Sequence, residues 1–235
     1  MKGTRVAFLV VALAAVAASA ALADLGPYEA WSPAIRVEGS ETSESSFNGP
    51  YLDGCPFISR DGKEFFMASR RPTSPADQKP DINTTANEAS PFPLPQADIG
   101  PVLYFSSTIS GNGDLYSSTW HSGDFQGRDE VPGVNTPSWN EGQPNVRRDG
   151  LELFYFSNQP DGVGGGNDIY SATRPSTAAA FSGAADLGPN VNSAASETRP
   201  SLAWDGTRLY FGSNRPGGDG DSDHYVTTRD PLARG

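Results

Sequence analysis

The chain has 235 residues, and 17 Lys and Arg stand against 28 Asp and Glu, so its formal net charge is −11 at pH 7. An acidic balance of this size excludes a general nucleic-acid binder, which needs a basic surface to displace counterions from phosphates. The 26 Gly and 20 Pro residues are unfavourable in helix interiors, so the composition indicates a β-protein punctuated by turns.

Residues 1–23 are predicted to be an export signal. The basic residues Lys2 and Arg5 precede an unbroken apolar run over residues 6–18, and Ala21-Leu22-Ala23 fits the small-x-small cleavage pattern. The run is shorter than the roughly 20 residues that span a bilayer, although an uncleaved anchor helix is the alternative interpretation. We therefore expect a single exported domain over residues 24–235, periplasmic or extracellular, without membrane insertion. Removing 23 of the 235 residues would leave 212, with a net charge of −13 because the signal carries two basic and no acidic residues.

An internal repeat organises the rest of the chain. In each copy a Pro is followed five residues later by Asp-Gly and then by a run of apolar and aromatic residues, with a Ser eight residues after the Asp. Clear copies begin at Pro56, Pro144 and Pro200. A degenerate copy lies between the first two, with Leu103 to Ser107 as its aromatic run. A Glu three residues before a leading Pro also recurs, at Glu88, Glu141 and Glu197.

Each copy is expected to form up to four antiparallel strands. Asp-Gly predicts a hairpin turn because a tight turn needs residues that tolerate positive φ. The aromatic run predicts a strand buried on both faces because polar residues do not alternate with apolar ones. A third strand is expected to begin with Asp and an apolar residue, at Asp81-Ile82-Asn83, Asp114-Leu115-Tyr116, Asp168-Ile169-Tyr170 and Asp223-His224-Tyr225. A weaker fourth strand is expected near residues 181–187.

These repeats together predict an all-β fold, a β-propeller of four four-stranded antiparallel blades. The repeats cover approximately residues 50–86, 87–140, 141–197 and 198–230. Five blades remain an alternative because the first copy has little room for an outer strand. The last copy has no outer strand of its own, so the N-terminal strand over residues 30–37 is expected to pair with residues 223–229 and close the ring.

The repeat resembles the WD-like β-propeller repeats of TolB-type proteins. Their hallmark is a Pro, an Asp-Gly turn, a hydrophobic strand followed by Ser-Asn-Arg, and then Asp-Ile-Tyr. The copy from Pro200 to Arg229 matches best, with Ser213-Asn214-Arg215 intact, and the copy at 144–174 has Ser157-Asn158-Gln159. The resemblance implies a β-propeller over about residues 50–230, and it implies no activity because this repeat is a scaffold with many uses.

Polar residues at equivalent positions after the aromatic strands are candidate ligand-binding residues. They are Arg70, Arg71, Asn158, Asn214 and Arg215. One interpretation is a polar ring that grips a carboxylate or a sugar. The other is that each residue pairs with the recurring Asp of its own blade.

A weak calcium site is the only metal candidate in the sequence. Asp219, Asp221 and Asp223 stand at alternate positions of a glycine-containing loop, a spacing that suits oxygen ligation of Ca²⁺. The alternative is that Asp223 caps the loop before its strand, as Asp114 and Asp168 would in their copies. We expect no other cofactor.

The sequence shows no pattern typical of a catalytic centre. The chain has two His, His121 and His224, and lacks the Gly-x-Ser-x-Gly elbow of serine hydrolases. Its single Cys, Cys55, is expected to be a small buried side chain at the start of a strand. We therefore expect a monomeric, non-catalytic scaffold that binds a protein or a small ligand in the cell envelope. The alternative is a small propeller hydrolase acting on glycans.

Overall fold

The structure is a computed structural model that describes residues 5–9, 53–58, 65–69, 82–96, 100–218 and 221–230. These residues form fourteen β-strands and no helix, so the predicted all-β class is confirmed for them. Accordingly, this part of the chain offers no helix that could cross a membrane.

The strands form four antiparallel sheets, which we name A to D in chain order. Sheet A contains β1 (Arg5–Leu9), β2 (Asp53–Ile58) and β3 (Phe65–Ser69), in the order β1-β3-β2. Sheet B contains β4 (Glu88–Leu94), β5 (Val102–Ser107), β6 (Asp114–His121) and β7 (Asp124–Glu130). Sheet C contains β8 (Glu141–Val146), β9 (Glu152–Ser157), β10 (Asp168–Thr173) and β11 (Ser182–Asp186). Sheet D contains β12 (Glu197–Leu202), β13 (Arg208–Ser213) and β14 (Asp223–Thr228).

The Asp-Gly pairs form the turns between the first and second strands of sheets C and D. Gly150 and Gly206 have φ values of 76° and 75°, which a residue with a side chain rarely adopts. In the first turn, Oδ1 of Asp149 accepts a hydrogen bond from the backbone N of Leu151 at 3.0 Å. The expected hairpins are therefore present, and their shape depends on the glycine.

Three apolar clusters join each sheet to the next. Tyr104 and Leu115 of sheet B pack with Leu153 and Tyr155 of sheet C. Other clusters join Phe57 of sheet A to sheet B, and sheet C to sheet D. The aromatic strands β5 and β9 are therefore buried on both faces, as their lack of alternation predicts.

Sheet D differs from sheets B and C in having one exposed face. Exposed and half-buried side chains alternate along β14. Tyr210 and Val226 pair across the sheet with 43% and 53% of their surfaces exposed. No described strand pairs with the outer edge of β14. Residues 30–37, expected at that edge, lie outside the described residues.

The first copy of the repeat departs from the sequence-based alignment. Residues 82–87 form a turn and an irregular segment rather than a strand, so the prediction of a third strand at Asp81-Ile82-Asn83 is wrong. Ile82-Asn83 instead precedes Glu88 as Val134-Asn135 precedes Glu141, at the end of a repeat. The third position of sheet A is taken by β1, which lies within the predicted export signal. Cleavage of that signal stays a prediction.

Candidate functional site: the first strands of the four sheets

The first strand of each repeat lies next to the first strand of the neighbouring repeat; these strands are β2, β4, β8 and β12. Strand β4 contacts both β2 and β8, and β8 contacts β12. Each of these strands is at the edge of its own sheet. The four strands therefore form a continuous surface that draws on every sheet, and it is here that side chains from different repeats come together.

A buried glutamate begins each first strand of sheets B, C and D. Oε2 of Glu141 accepts a hydrogen bond from the backbone N of Thr136 at 3.0 Å. Oε1 accepts from the hydroxyls of Thr136 and Ser157 at 2.8 and 3.0 Å. Glu88 and Glu197 make the same bonds with the Thr or Ser four residues earlier and the Ser of the second strand. The recurring Glu and Ser therefore tie three segments of each repeat together.

Burial raises the pKa of two of these carboxyl groups. Removal from water raises the pKa of Glu141 above its ordinary value, and hydrogen bonds from Thr136 and Ser157 oppose that rise. Burial raises the pKa of Glu88 in the same way. Because each carboxyl group is fully buried and bonded within the fold, it is not open to a ligand.

Two residues beyond each glutamate, the first strand has a bulge with a left-handed residue. Ser90, Gln143 and Arg199 have φ values of 53°, 55° and 55°. Each precedes a buried Pro, and the pairing with the second strand shifts at that point. The left-handed conformation costs a residue with a side chain on the order of 1–3 kcal/mol, and such strain is most often kept at functional sites. Bulges also re-aim side chains beside active and binding sites.

The bulge residues differ while the frame around them is the same. Ser90, Gln143 and Arg199 lie between an invariant pair within this chain, Glu two residues before and Pro one residue after. Oε1 of Gln143 accepts a hydrogen bond from the backbone N of Arg199 at 2.7 Å, which links the bulges of β8 and β12. Arg199 is exposed, and its guanidinium has no ion-pair partner in the part of the chain that the structure describes. Cys55 has the corresponding position in β2, and its side chain lies outside the described set.

The sequence-predicted asparagines lie elsewhere and bond within the fold. Oδ1 of Asn158 accepts from the backbone N of Asn140 at 2.7 Å, and Oδ1 of Asn214 accepts from that of Ser196 at 2.7 Å. Each bond fixes the loop after the second strand to the residue before the buried glutamate. Their partners are therefore these backbone groups rather than the recurring Asp.

Arg215 also acts within its own sheet. Its Nη2 donates to Oε1 of Glu197 at 3.1 Å, and its guanidinium lies 4.6 Å from the ring centre of Tyr225. Arg70 and Arg71 lie outside the described residues. The structure thus places Arg215 beside the buried Glu197. A polar ring formed jointly by the five sequence-predicted residues stays a prediction.

The calcium candidate is described only in part. Asp219 lies outside the described residues, Asp221 is exposed and Asp223 is half-buried at the start of β14. The carboxylate of Asp223 packs against Gly218, where a Cβ would collide with it, and Asp168 packs against Gly162 in the same way. Within the described residues no group of three or more His, Cys, Asp or Glu could hold a metal ion. Calcium binding by this loop stays a prediction.

Sequence reasoning missed the bulge residues, although a signal for them was available. Glu-x-x-Pro recurs at the start of each repeat from Glu88 onward, and a Pro inside a strand implies an edge position or a bulge. The residue before a Pro is disfavoured in the right-handed helical region. What the pattern could not give is the left-handed φ at Ser90, Gln143 and Arg199, because that depends on the pairing with the second strand.

Comparison with known proteins supports the architecture. No family model and no curated protein matches the chain. A solved structure from Agrobacterium tumefaciens, described as a TolB, matches with a TM-score of 0.50 and 18% sequence identity. The chain has a TolB-like fold. The match covers 77% of this chain and 59% of that protein, so the chain spans about three-fifths of its length. At this identity the TolB likeness concerns the fold alone.

Proposed function

We propose that the protein is an exported, non-catalytic β-propeller scaffold that binds a protein or a small ligand in the cell envelope through the bulge residues. The observation that carries the proposal is the left-handed φ of Ser90, Gln143 and Arg199, repeated in three sheets. The TolB-like fold and the predicted export signal support the scaffold and its location. We propose four blades, with residues 30–37 completing the last one.

The side chains at the bulges favour a ligand that carries carboxylates or hydroxyl groups. Arg199 offers an exposed guanidinium, which binds planar carboxylates through two parallel hydrogen bonds. Gln143 is half-buried, and its Nε2 is a hydrogen-bond donor beside the Oε1 that holds Arg199. The positive charge of this guanidinium suits an acidic group on the ligand.

A binding screen with matched arginine variants tests the proposal. The purified protein is screened against acidic peptides and a glycan panel, and each hit is measured again with Arg199→Ala and Arg208→Ala. Arg208 is an exposed arginine of sheet D that pairs with Asp205, so it controls for loss of charge. We expect Arg199→Ala to weaken binding by about tenfold, as loss of a charge-assisted pair does, and Arg208→Ala to leave it unchanged. Ligands whose affinity is unchanged by both substitutions would count against binding at the bulge residues. Turnover of glycosides or esters would count against a non-catalytic protein.

A further inference from the structure

The first repeat has fewer residues available for a third and a fourth strand than the next two repeats have. In the second repeat, 26 residues separate Ser107, the last residue of the second strand, from Val134, which precedes Asn135. In the third repeat, 33 residues separate Ser157 from Val191, which precedes Asn192. Only 12 residues, 70–81, separate Ser69 from Ile82, and three of them are Pro. Pro has no N–H for a strand ladder. In this structure the third position along β3 is taken by β1, a segment from outside this repeat.

In sheets B and C an asparagine clamps the third strand. Oδ1 of Asn135 accepts from the backbone N of Leu115 at 2.8 Å, and its Nδ2 donates to the backbone O of Leu115 at 2.9 Å. Asn192 makes the same two bonds with Ile169 at 2.8 and 2.9 Å. The clamped residue is the second residue of the strand in both sheets, and its side chain is fully buried.

Asn83 is the corresponding residue for sheet A, and its amide has no hydrogen-bond partner among the described residues. It follows Ile82 as Asn135 follows Val134, and it is only 9% exposed. Within the part of the chain that the structure describes, neither its Oδ1 nor its Nδ2 makes a hydrogen bond. Buried amides are almost always bonded, so an unbonded one with two bonded equivalents indicates a missing partner.

The strand that occupies this position does not use the clamp. β1 pairs with β3 in the register Arg5 to Ser69 and Val6 to Ala68, so Val6 has the position of Leu115 and Ile169. Asn83 nevertheless remains unbonded. β1 belongs to the predicted export signal, and cleavage after residue 23 would vacate the edge of β3.

We infer that the edge of β3 beside Asn83, here called the strand slot, binds an extended segment of another polypeptide. Strand addition gives affinity through main-chain hydrogen bonds and specificity through alternate side chains. The bound segment has an apolar second residue, since Leu115 and Ile169 are buried at that position. This site is separate from the bulge residues, and it adds a second binding surface to the proposed scaffold.

A peptide-binding experiment tests the strand slot. The probe is a synthetic peptide with the sequence of residues 167–174, which include β10 (Asp168–Thr173), the third strand of sheet C. It is titrated against the exported protein, with its N-terminus verified by mass spectrometry, and against the full chain. We expect saturable binding to the processed protein and binding about tenfold weaker to the full chain, where β1 competes. A peptide with Pro at the position of Ile169 lacks the N–H that the clamp needs and should not bind.

Variants at the clamp distinguish binding in the strand slot from binding elsewhere on the protein. Asn83→Ala should weaken peptide binding about tenfold and leave the melting temperature unchanged or raised, because it removes an unbonded buried amide. Asn192→Ala should lower the melting temperature, because it breaks two bonds to Ile169. Arg199→Ala should leave peptide binding intact, so failure of the bulge site and failure of the strand slot are distinguishable.

Several outcomes would overturn the inference. They are equal binding to both forms of the protein, binding unaffected by Asn83→Ala, and no binding to a folded processed protein. If the processed protein self-associates and the peptide reverses this, the strand slot binds a second copy of this chain, and binding of a different polypeptide is rejected. If the processed protein does not fold, Val6→Pro in the full chain weakens β1 without deleting it, and the peptide should then bind. Failure of that variant to bind while folded would equally reject the strand slot.

Discussion

At the scale of single residues, the repeat is a set of polar bonds around one carboxylate. Thr136 and Ser157 both donate to Glu141, and the same geometry surrounds Glu88 and Glu197. A buried carboxylate is costly unless its oxygens are bonded, and the recurring hydroxyls meet that need. The Ser eight residues after each Asp is therefore explained by its bond to the glutamate rather than by a role in chemistry.

The raised pKa of Glu141 predicts a pH dependence of stability. Because its folded-state pKa lies above the ordinary value of 4.5, the folded protein binds a proton more readily than the unfolded chain. The free energy of unfolding should therefore rise as pH falls from 7 towards 4.5, and this gain is lost as pH rises through the folded-state pKa. Urea unfolding at pH 5 and pH 7 measures the difference, which Glu141→Gln should reduce.

Exposed Glu130 provides the matched control for this prediction. Glu130→Gln removes the same charge from the chain without touching a buried carboxyl group. If both substitutions change the pH dependence equally, the effect comes from net charge alone.

At the scale of strands and turns, the Asp-Gly hairpin is the element that sequence patterns predict best. The turn of sheet D depends on Gly206 at a φ of 75°, with Oδ1 of Asp205 accepting from the backbone N and hydroxyl of Thr207. The nearest atom to a Cβ at Gly206 would be a side-chain carbon of Arg147 at 3.8 Å, so space is not limiting. The preference for glycine at position 206 therefore comes from the positive φ and not from lack of space for a side chain.

Substitution at Gly206 separates conformation from size. Gly206→Val should lower the free energy of unfolding by about 1–3 kcal/mol, because a β-branched residue is strained at positive φ. Gly206→Asn should cost less, since Asn enters the left-handed region more readily. Denaturant unfolding of the two variants checks this, and equal losses would reject a conformational cause. Asp205→Ala should also destabilise the turn, by removing its bonds to Thr207.

Neighbouring sheets are also joined by an arginine that follows the third strand. Arg229 donates from Nη1 and Nη2 to the two carboxylate oxygens of Glu152 in sheet C, each at 2.7 Å. Its Nε donates to the backbone O of Gly206 at 2.7 Å. Arg174 repeats the pattern by donating to Gly150 in its own sheet and to Tyr104 in sheet B.

Loss of this inter-sheet contact should be measurable. We expect Arg229→Ala to lower the free energy of unfolding by about 1–3 kcal/mol, the range for hydrogen bonds to charged groups. Arg229→Lys should recover only part, because an ammonium cannot bond both oxygens in parallel. Arg208→Ala, which breaks an exposed contact of 3.7 Å with Asp205, should cost less. A loss at Arg208 as large as that at Arg229 would contradict the importance of the paired geometry.

At the scale of the whole molecule, the unmatched surfaces lie in sheet D. Tyr210 and Val226 are exposed, whereas Phe154 of sheet C, at the position that corresponds to Tyr210, is buried against sheet D. The outer edge of β14 is unpaired among the described strands. A strand from residues 30–37 would cover the edge of β14, and closure of the ring through it stays part of the proposed fold.

Deletion of residues 24–38 from the exported protein tests closure. The expected result is a large drop in melting temperature and reduced solubility, because a strand ladder and the aromatic side chain of Trp31 are lost together. Removing the last five residues, 231–235, provides a control for simple truncation of a terminus. If the N-terminal deletion melts like the intact protein and stays soluble, residues 30–37 do not close the ring, and the count of four blades fails with them.

The sequence by itself determined the local structure. Asp-Gly at 149–150 and 205–206 specifies a turn in either sheet, because a tight turn requires a residue at positive φ and glycine adopts that conformation readily. The runs around Tyr104 and Tyr155 specify strands buried on both faces, because no polar alternation leaves a face for water. The same prediction is wrong for the run around Phe211, where Tyr210 is exposed because no described sheet covers that face of sheet D. These features depend only on residues close together in the chain.

Tertiary structure alone decided what depends on partners distant in the chain. Asp81-Ile82-Asn83 looks like a third strand, yet Asn83 has the position of the asparagines that bond to the third strand in sheets B and C, as its equivalence to Asn135 and Asn192 reveals. The left-handed bulge at Arg199 likewise depends on pairing with β13 and on the side chain of Gln143, 56 residues away. Short-range patterns cannot encode such positions, because the stabilising partners lie outside the short stretch of sequence that carries the pattern.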